Sequence, residues 1–264
     1  MILIAGPCVI DSITTEQTAE AMKPIITEFK KKDHRQRVGY IEDFYFKASC
    51  VKDNRTKPGN YRGPGFSKGL DILEDMQIKF DYKITTDFHS VNDIEMYGKR
   101  VDLIQIPAFL ARQTSILEAA AKTGVPVHVK KPQMMLPNEV NIISDILKNA
   151  GADTIFITDR GTFSGGKHLY MDPRHYEIMK MISGVTILAD ITHPNKFYLG
   201  NTAHNNAEIL GGSAIISGAD GIFMEVHSSP RVAFCDKDTQ IETRSFRELM
   251  RLFTTIEEQM NDHF

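Results

Sequence analysis

Residues 44–65, FYFKASCVKDNRTKPGNYRGPG, join a short apolar run to a polar segment that is dense in cations. The run Phe44–Phe46 has the aromatic composition of a strand. Lys47, Lys52 and Arg55 follow it closely, and like charges at short range repel unless an anion lies among them. The stretch therefore predicts a strand that ends at a binding site for phosphate or carboxylate groups.

Seven further runs of this kind bring the number of predicted strands to eight. Each run is short and apolar on both faces, as expected of a buried parallel sheet. Helical patterns separate the runs, which is typical of repeated βα units. The predicted strands are Ile2–Ala5, Phe44–Ala48, Lys83–Thr86, Leu103–Ile106, Val125–Val129, Thr154–Thr158, Val185–Ala189 and Gly221–Val226.

Unusual polar residues stand at the end of every predicted strand, where a (β/α)8 barrel carries its chemistry. Such a barrel needs about 250 residues, and the chain has 264. We therefore predict the α/β class and one (β/α)8 TIM barrel, a single domain over residues 1–264, with a large doubly wound sheet as the alternative. The strand-end residues are Cys8, Lys47, Lys52, Asp87, His89, Gln105, Pro107, Lys130, Lys131, Asp159, Arg160, Asp190, His193, Glu225 and His227.

The composition argues against several classes of function. A net charge of −3 and a pI of about 6.3 disfavour nucleic-acid binding, which favours a basic domain. No stretch resembles a signal peptide or a membrane span. With three cysteines there is no even disulfide framework, so we expect a reduced, cytoplasmic protein in which Cys50 and Cys235 are small apolar fillers. The basic run of residues 30–37 is interpreted as a solvated helix end.

The first group of candidate site residues is cationic and follows three predicted strands. Lysines that leave buried strands are seldom only surface charges, although surface ion pairs are the ordinary alternative. A Schiff-base lysine, at Lys47 or Lys130, is a second alternative, but several cations in one site fit phosphate binding better. The group comprises Lys47, Lys52, Arg55, Lys130 and Arg160.

The second group has the donor atoms of metal ligands and comprises Cys8, His193, Glu225 and Asp236. A thiolate, an imidazole and two carboxylates suit Mn²⁺, Fe²⁺, Co²⁺ or Zn²⁺. The four residues lie far apart in the sequence and form no compact motif. On spacing alone, the better interpretation is a buried cysteine, a core histidine and two surface acids.

Long motifs, in order over nearly the whole chain, resemble the 3-deoxy-D-manno-octulosonate 8-phosphate synthase family. They include AGPCVIDS at residues 5–12 and QIPAFLARQT at residues 105–114. The element Lys-x-Asn-Arg-Thr at residues 52–56 separates that family from the related 3-deoxy-heptulosonate 7-phosphate synthases, which carry Lys-Pro-Arg-Thr-Ser there. The other matching stretches are residues 46–52, 61–65, 86–89, 129–133, 159–161 and 190–193.

The resemblance implies that phosphoenolpyruvate, arabinose 5-phosphate and water give an eight-carbon sugar acid phosphate and inorganic phosphate. In that family the product feeds the lipopolysaccharide core. The implied phosphoenolpyruvate ligands are Lys47, Lys52, Lys130 and Arg160, with Gln105 nearby. The implied aldose phosphate ligands are Asn54, Arg55 and Thr56.

The resemblance also implies catalytic and assembly roles. Asp87 and His89 stand at a strand end where they can assist proton transfers, together with the catalytic set Lys47, Lys130 and His193. Phe109 and Arg112 match a segment that reaches the site of an adjacent subunit, which implies a homotetramer.

The metal interpretation is reversed by the resemblance. Family members are metal-dependent or metal-independent, and the latter carry Asn where this chain has Cys8. The resemblance therefore implies the metal-dependent form, with a divalent Mn, Fe, Co or Zn ion held by Cys8, His193, Glu225 and Asp236.

Three loops depart from the family pattern and leave two alternatives open. The loop of residues 195–206 is short, KDTQIE occupies residues 237–242, and FSGGK occupies residues 163–167. All three surround the aldose end of the site. One alternative is a sister synthase that uses another aldose, such as erythrose 4-phosphate, against which Asn54 argues. The other is a catalytically degenerate barrel that binds a phosphorylated metabolite, against which the retained ligand set argues.

Overall fold

The apolar runs of the sequence form a closed parallel barrel in the computed structural model of the chain. The structure describes residues 1–30, 40–55, 57–163, 169–195 and 203–263, without the side chains of residues 203–205 and 261–263. The strands are β1 Ile2–Gly6, β2 Asp43–Lys47, β3 Lys83–Asp87, β4 Leu103–Ile106, β5 Val127–Lys130, β6 Ile155–Asp159, β7 Thr162–Phe163, β8 Leu169–Tyr170, β9 Thr186–Asp190, β10 Gly221–His227 and β11 Ile241–Glu242.

The barrel closes because its first and last strands pair with each other. Strand β1 pairs in parallel with β10, from Ile2 opposite Gly221 to Gly6 opposite Glu225. Strands β2, β3, β4, β5, β6 and β9 complete the ring in that order. The predicted (β/α)8 barrel is confirmed, and the doubly wound sheet is wrong because such a sheet has two open edges. The unpredicted pair β7 and β8 forms a small antiparallel hairpin after β6.

Helices alternate with the barrel strands and cover them from outside. In α5 the buried residues Val140, Ile143 and Leu147 recur at the spacing of one helical face. In the described residues the helices are α1 Thr14–Phe29, α2 Phe66–Phe80, α3 Val91–Tyr97, α4 Thr114–Lys122, α5 Val140–Asn149, α6 Arg174–Ser183, α7 Ala203–Ile216 and α8 Thr243–His263. No helix of this described part has the length and apolarity needed to cross a bilayer.

The inside of the barrel has an apolar floor and a polar upper end. Ile4, Tyr45, Leu103, Phe156, Leu188 and Phe223 form the buried floor cluster. Side chains two residues apart in a strand share one face. The residues two positions further along four of these strands are Lys47, Gln105, Asp190 and Glu225. The strand pleat therefore places polar groups directly above an apolar floor.

Candidate active site

A cavity of about 310 Å³ lies at the carboxyl ends of the barrel strands, where the sequence predicts the chemistry. It holds most of the predicted substrate-binding and catalytic residues. Those that line it are Lys47, Lys52, Asn54, Asp87, His89, Gln105, Phe109, Lys130, Arg160, His193 and Glu225.

A second cavity of about 720 Å³ adjoins the first, and exposed residues such as Lys57 and Lys237 are part of its lining. Arg55 and Asp236 line this outer cavity, together with Lys57 and Lys237. The residues that line both cavities are Lys52, Asn54, Arg160 and His193. The site therefore has an inner lobe and an outer lobe that share cations.

Among the predicted site residues that the structure describes, Arg112 and Cys8 line neither lobe. Arg112 is exposed just after the 3-10 helix Ala108–Leu110, and it lines neither cavity of its own chain. Thr56 lies outside the described residues, as do residues 31–37 of the basic run, residues 164–167 of FSGGK and residues 196–202 of the short loop.

Lys47 delivers a positive charge deep into the inner lobe and is only 3% exposed. Its Nζ donates to the Cys8 carbonyl oxygen at 2.9 Å and to Ser49 Oγ at 3.1 Å. The same Nζ lies 3.8 Å from Glu225 Oε1. Gly6 permits this approach of β1 to β2, since a Cβ there would lie 2.3 Å from the Lys47 carbonyl oxygen. A surface ion pair is therefore the wrong interpretation of Lys47.

Lys130 is buried beside Lys47 and ends β5. Its Nζ donates to Asp190 Oδ2 at 2.9 Å and lies over the Phe223 ring. Burial lowers the pKa of Lys130 to about 7, although the Asp190 carboxylate opposes that shift and Arg160 adds to it. A bound anion would favour the charged form of this lysine.

Asp87 and His89 form a pair at the end of β3, with Asp87 Oδ2 3.3 Å from His89 Nε2. Burial would raise the pKa of Asp87, but His89 and Lys47 hold it below its ordinary range. Asp87 Oδ1 and His89 Nδ1 have no hydrogen-bond partner among the described residues. Both side chains line the inner lobe with proton-accepting or proton-donating capacity unused.

The four predicted metal ligands fall into two groups that share Asp236. Donor atoms of His193, Glu225 and Asp236 lie within 4.8 Å of one another, and Asp236 groups in the same way with Cys8 and Cys235. Glu225 is 1% exposed, and its Oε2 has no hydrogen-bond partner among the described residues. A surface acid is therefore the wrong interpretation of Glu225. A buried carboxylate oxygen without a donor fits a bound cation.

The backbone at Asp236 is set in an uncommon conformation. Its φ of 48° is in the left-handed region, which Asp adopts more readily than most residues. The Asp236 carbonyl accepts backbone N–H groups of Thr239 and Gln240, both at 3.0 Å. This turn holds the carboxylate beside Cys8, with Asp236 Oδ2 3.2 Å from Cys8 Sγ.

Lys52 places an ammonium group among these acidic donors. Its Nζ contacts Cys8 Sγ and lies 2.9 Å from Asp236 Oδ2. Burial would lower the pKa of Lys52, but the Glu225 and Asp236 carboxylates outweigh it and raise that pKa. The donor set thus already holds a positive charge, which supports its fit to a divalent ion.

Cys8 and Cys235 are joined by a disulfide, with Cα atoms 6.4 Å apart. The prediction that Cys235 is an apolar filler, in a chain without disulfides, is therefore wrong. The two residues are 227 positions apart in the sequence, and the pairing of β1 with β10 brings the following loops together. Cys50 is the free, buried cysteine, and burial raises the pKa of its thiol to about 12.

Gln240 is a site residue that the sequence reasoning missed. Its Oε1 accepts the Cys8 N–H at 3.3 Å, and its Nε2 donates to the Cys235 carbonyl oxygen at 2.8 Å. It ties together the two cysteine loops from within KDTQIE, a segment that stood out only as a departure from the family pattern.

Asp190 is the other missed residue and supports two predicted ones. Its carboxylate accepts hydrogen bonds from Lys130 and from the ring of His193. Its place at a strand end was visible in the sequence, but nothing there distinguished a supporting carboxylate from a surface one.

Comparisons with known proteins identify the family of the chain. A sequence profile of the DAHP synthetase I family matches residues 1–262. The chain is 38% identical over 258 residues to 2-dehydro-3-deoxyphosphooctonate aldolase 1 of Arabidopsis thaliana, covering 94% of this chain and 85% of that protein. It is 34% identical over 263 residues to 2-dehydro-3-deoxyphosphooctonate aldolase of Geotalea uraniireducens (strain Rf4), covering 97% and 92%. The corresponding enzyme of Pisum sativum is 37% identical over 258 residues, covering 94% and 85%.

Proposed function

Since the chain belongs to the DAHP synthetase I family, among its 2-dehydro-3-deoxyphosphooctonate aldolases, we propose that it makes 3-deoxy-D-manno-octulosonate 8-phosphate. It is a transferase that condenses phosphoenolpyruvate with arabinose 5-phosphate and water, and inorganic phosphate is released. Neither a different aldose nor a degenerate barrel is favoured by these relatives.

One observation on this chain itself supports the proposal, in addition to its relatives. Lys47, Lys130 and Arg160 line one small cavity beside the acid–base pair Asp87 and His89. Phosphoenolpyruvate carries a phosphate and a carboxylate, and such a cluster of cations complements both. A barrel that only binds a metabolite has no need of the acid–base pair.

Phosphoenolpyruvate binds in the inner lobe. Lys47 and Lys130 are almost fully buried, so their attraction for an anion is screened little by water. Arg160 lines both lobes and can hold an anionic group through its planar fork. Gln105 Oε1 has no hydrogen-bond partner among the described residues and faces the same lobe.

The aldose phosphate binds in the outer lobe. Asn54 lines both lobes, and Arg55 lines the outer one. Arg55 donates to the Phe234 carbonyl oxygen at 2.9 Å, which fixes the guanidinium at the rim. The aldehyde end of the sugar then points to the inner lobe, where the enol carbon of phosphoenolpyruvate attacks it. Holding both substrates in attacking geometry supplies much of the rate.

Proton movements accompany the addition of water to the carbon that bears the phosphate. His89 is placed to take a proton from that water or to give one to the new alkoxide, and the ionised Asp87 beside it can only accept one, because the unpartnered atoms of both residues lie at the inner lobe. Lys130, with a pKa of about 7, can also exchange a proton near neutral pH.

We propose that Cys8, His193, Glu225 and Asp236 hold a divalent Mn, Fe, Co or Zn ion, which the two donor groups joined at Asp236 support. Such an ion supplies Lewis-acid polarisation of a carbonyl oxygen or of water. Cys8 serves as a ligand only as a thiolate, so the bond to Cys235 has to be reduced first.

We also propose a homotetramer, which the exposed segment beside the cavity supports. Phe109 is 59% exposed at the mouth of the inner lobe, and Arg112 is exposed beyond it. Both are therefore available to a neighbouring subunit. The cytoplasmic location and the role in lipopolysaccharide synthesis stay predictions.

The experiment that tests the function is a phosphate-release assay with phosphoenolpyruvate, arabinose 5-phosphate and Mn²⁺ under reducing conditions. We expect release only when both substrates are present, and loss of release with a chelator. Release without the aldose contradicts the proposal. A faster reaction with erythrose 4-phosphate than with arabinose 5-phosphate would show that the proposed aldose is wrong. Phosphate release that continues in the presence of the chelator would contradict the proposed metal ion.

A further inference from the structure

Asp190 ends β9, is fully buried and lies between the two halves of the site. One half is the proposed phosphoenolpyruvate site with Lys130, and the other is the proposed metal site with His193. Its Oδ2 accepts hydrogen bonds from Lys130 Nζ at 2.9 Å and from His193 Nδ1 at 2.7 Å. Its Oδ1 accepts the backbone N–H groups of Thr192 at 3.0 Å and of His193 at 3.1 Å. One carboxylate oxygen therefore touches both the phosphoenolpyruvate lysine and the metal-ligand histidine.

The hydrogen bond to Nδ1 decides which nitrogen of His193 is free for a ligand. An ionised carboxylate only accepts hydrogen bonds, so Nδ1 of His193 carries the hydrogen. Nε2 then keeps the lone pair, which is what a metal ion requires. Since His193 groups with Glu225 and Asp236, Asp190 presents the imidazole to those ligands in the correct tautomer.

The same oxygen anchors the ammonium group of Lys130. A buried ammonium needs a hydrogen-bonded counter-charge, and Asp190 is the carboxylate that supplies it among the described residues. When an anionic substrate draws the Lys130 ammonium toward itself, less positive charge faces Oδ2. Oδ2 then accepts more strongly from Nδ1 of His193, and the imidazole becomes a better ligand.

We propose that Asp190 is a positioning residue that couples the two halves of the site. It orients His193 toward the metal and Lys130 toward phosphoenolpyruvate, so that each ligand strengthens the binding of the other. The coupling is reciprocal, as linkage requires. This inference rests on the proposed function, because that function assigns the two ligands.

The test is the variant Asp190→Asn, titrated with Mn²⁺ in the presence of dithiothreitol and followed by the loss of the free-ion electron paramagnetic resonance signal. The Asn amide donates where the carboxylate accepted, which favours the wrong tautomer of His193. We expect Mn²⁺ affinity to fall by tenfold to a hundredfold. In the wild type, phosphoenolpyruvate should tighten Mn²⁺ binding severalfold, and the variant should lose this effect.

Asp159→Asn is the matched control. Asp159 is equally buried at the end of the neighbouring strand β6 and pairs with a lysine, Lys131, at 3.3 Å. It has no hydrogen bond to Lys130 or His193 among those of the described residues. We expect this variant to lose stability but to keep the Mn²⁺ affinity of the wild type.

A measurement on the wild type keeps the inference testable if Asp190→Asn does not fold. The ¹⁵N chemical shifts of His193 in the metal-free protein should show the Nδ1–H tautomer. The opposite tautomer, or an Asp190→Asn protein that binds Mn²⁺ like the wild type, overturns the inference. These titrations need no turnover, so a failed phosphate-release assay of the wild type would instead reject the proposed function.

Discussion

At the residue scale, the proposed role of Lys130 in phosphoenolpyruvate binding links the pH of the solution to substrate affinity. Its pKa of about 7 follows from burial, and only its protonated form attracts the anionic substrate. As the pH rises through that value the charged fraction falls, by about tenfold for each unit well above it. We expect the KM for phosphoenolpyruvate to rise between pH 7 and pH 8.5, measured at saturating aldose.

The variant Lys130→Arg is the control for this pH effect. A guanidinium stays charged throughout the range, so its KM should be higher than that of the wild type but nearly constant with pH. A wild-type KM that does not change above neutrality would show that Lys130 keeps its proton in the free enzyme.

The disulfide leads to a prediction about metal binding. Cys8 cannot act as a thiolate while it is bonded to Cys235, so metal affinity should be low in the oxidised protein and should rise on reduction. In Cys235→Ser, binding should no longer need a reductant. The measurement is a Zn²⁺ or Mn²⁺ titration with and without dithiothreitol, together with a count of free thiols.

Cys50→Ser is the control, because Cys50 is buried and free of the disulfide. It should show the same dependence on reductant as the wild type. Equal metal affinity of the oxidised and reduced wild type would contradict Cys8 as a ligand.

Site residues could be predicted from the sequence where a predicted strand determines their position in the barrel. Lys47, Asp87 and Lys130 lie within one residue of the ends of predicted strands and are the last residues of β2, β3 and β5, and all three line one cavity. Cys235 and Gln240 were missed because their partner, Cys8, is brought near only when the barrel closes. Contacts of that kind have no signature in local sequence.

At the element scale, Lys131 joins two of the loops that carry the site. It is fully buried, and its Nζ lies 3.3 Å from Asp159 Oδ1 and within 3.4 Å of the Gly161 carbonyl oxygen. It also donates to the Met135 carbonyl oxygen at 3.2 Å. The loop after β5 is thereby tied to the loop after β6, which begins with Arg160.

Replacing this link should cost stability. Lys131→Met leaves the buried Asp159 carboxylate without its cation, and breaking a buried pair in this way costs about 3–5 kcal/mol. We expect a lower midpoint of urea unfolding with an unchanged m-value, and weaker phosphoenolpyruvate binding because Arg160 is less well placed.

Lys130→Met is the matched control for this prediction, one residue away. Asp190 would keep the ring of His193 and two backbone N–H groups as donors, so the loss of stability should be smaller. Phosphoenolpyruvate binding should nevertheless be lost. If Lys131→Met has the same midpoint of urea unfolding as the wild type, the pair of Lys131 with Asp159 does not stabilise the loops after β5 and β6.

The elements themselves were predictable where hydrophobic pattern decides them and less so at their ends. All eight predicted runs became barrel strands, but β5 begins at Val127, after Pro126, and not at Val125. The N-cap residue of α1, Ile13, makes no side-chain hydrogen bond to the helix start. Instead Asp11 accepts the backbone N–H groups of Ile13 at 2.9 Å and Thr14 at 2.6 Å. Several nearby side chains can compete for a helix end, and tertiary packing selects among them.

At the scale of the whole molecule, the exposed Arg112 raises the question of which chain completes the site. In the proposed homotetramer, Arg112 serves a neighbouring cavity. Arg112→Ala and Lys130→Met should each be inactive alone. Mixed tetramers should regain roughly a quarter of the wild-type activity, because random assembly unites an intact Arg112 and an intact Lys130 at about that share of sites.

Light scattering should confirm a mass four times 29.8 kDa for the mixture before its activity is measured. The control pairs Lys130→Met with Asp87→Asn. Both residues line the cavity of their own chain, so this mixture should stay inactive. An inactive mixture of Arg112→Ala and Lys130→Met would place Arg112 outside the neighbouring site.

The ammonium of Lys52 beside Cys8 and Asp236 has a consequence for how the protein matures. The acidic donors already have a counter-charge, so the chain can complete its folding before any metal arrives. Loading with the proposed metal would then be a later and reversible event in which the ion competes with the ammonium group of Lys52. For the proposed metal, that competition would set a threshold concentration, and the fraction of loaded protein would follow the supply of metal around it.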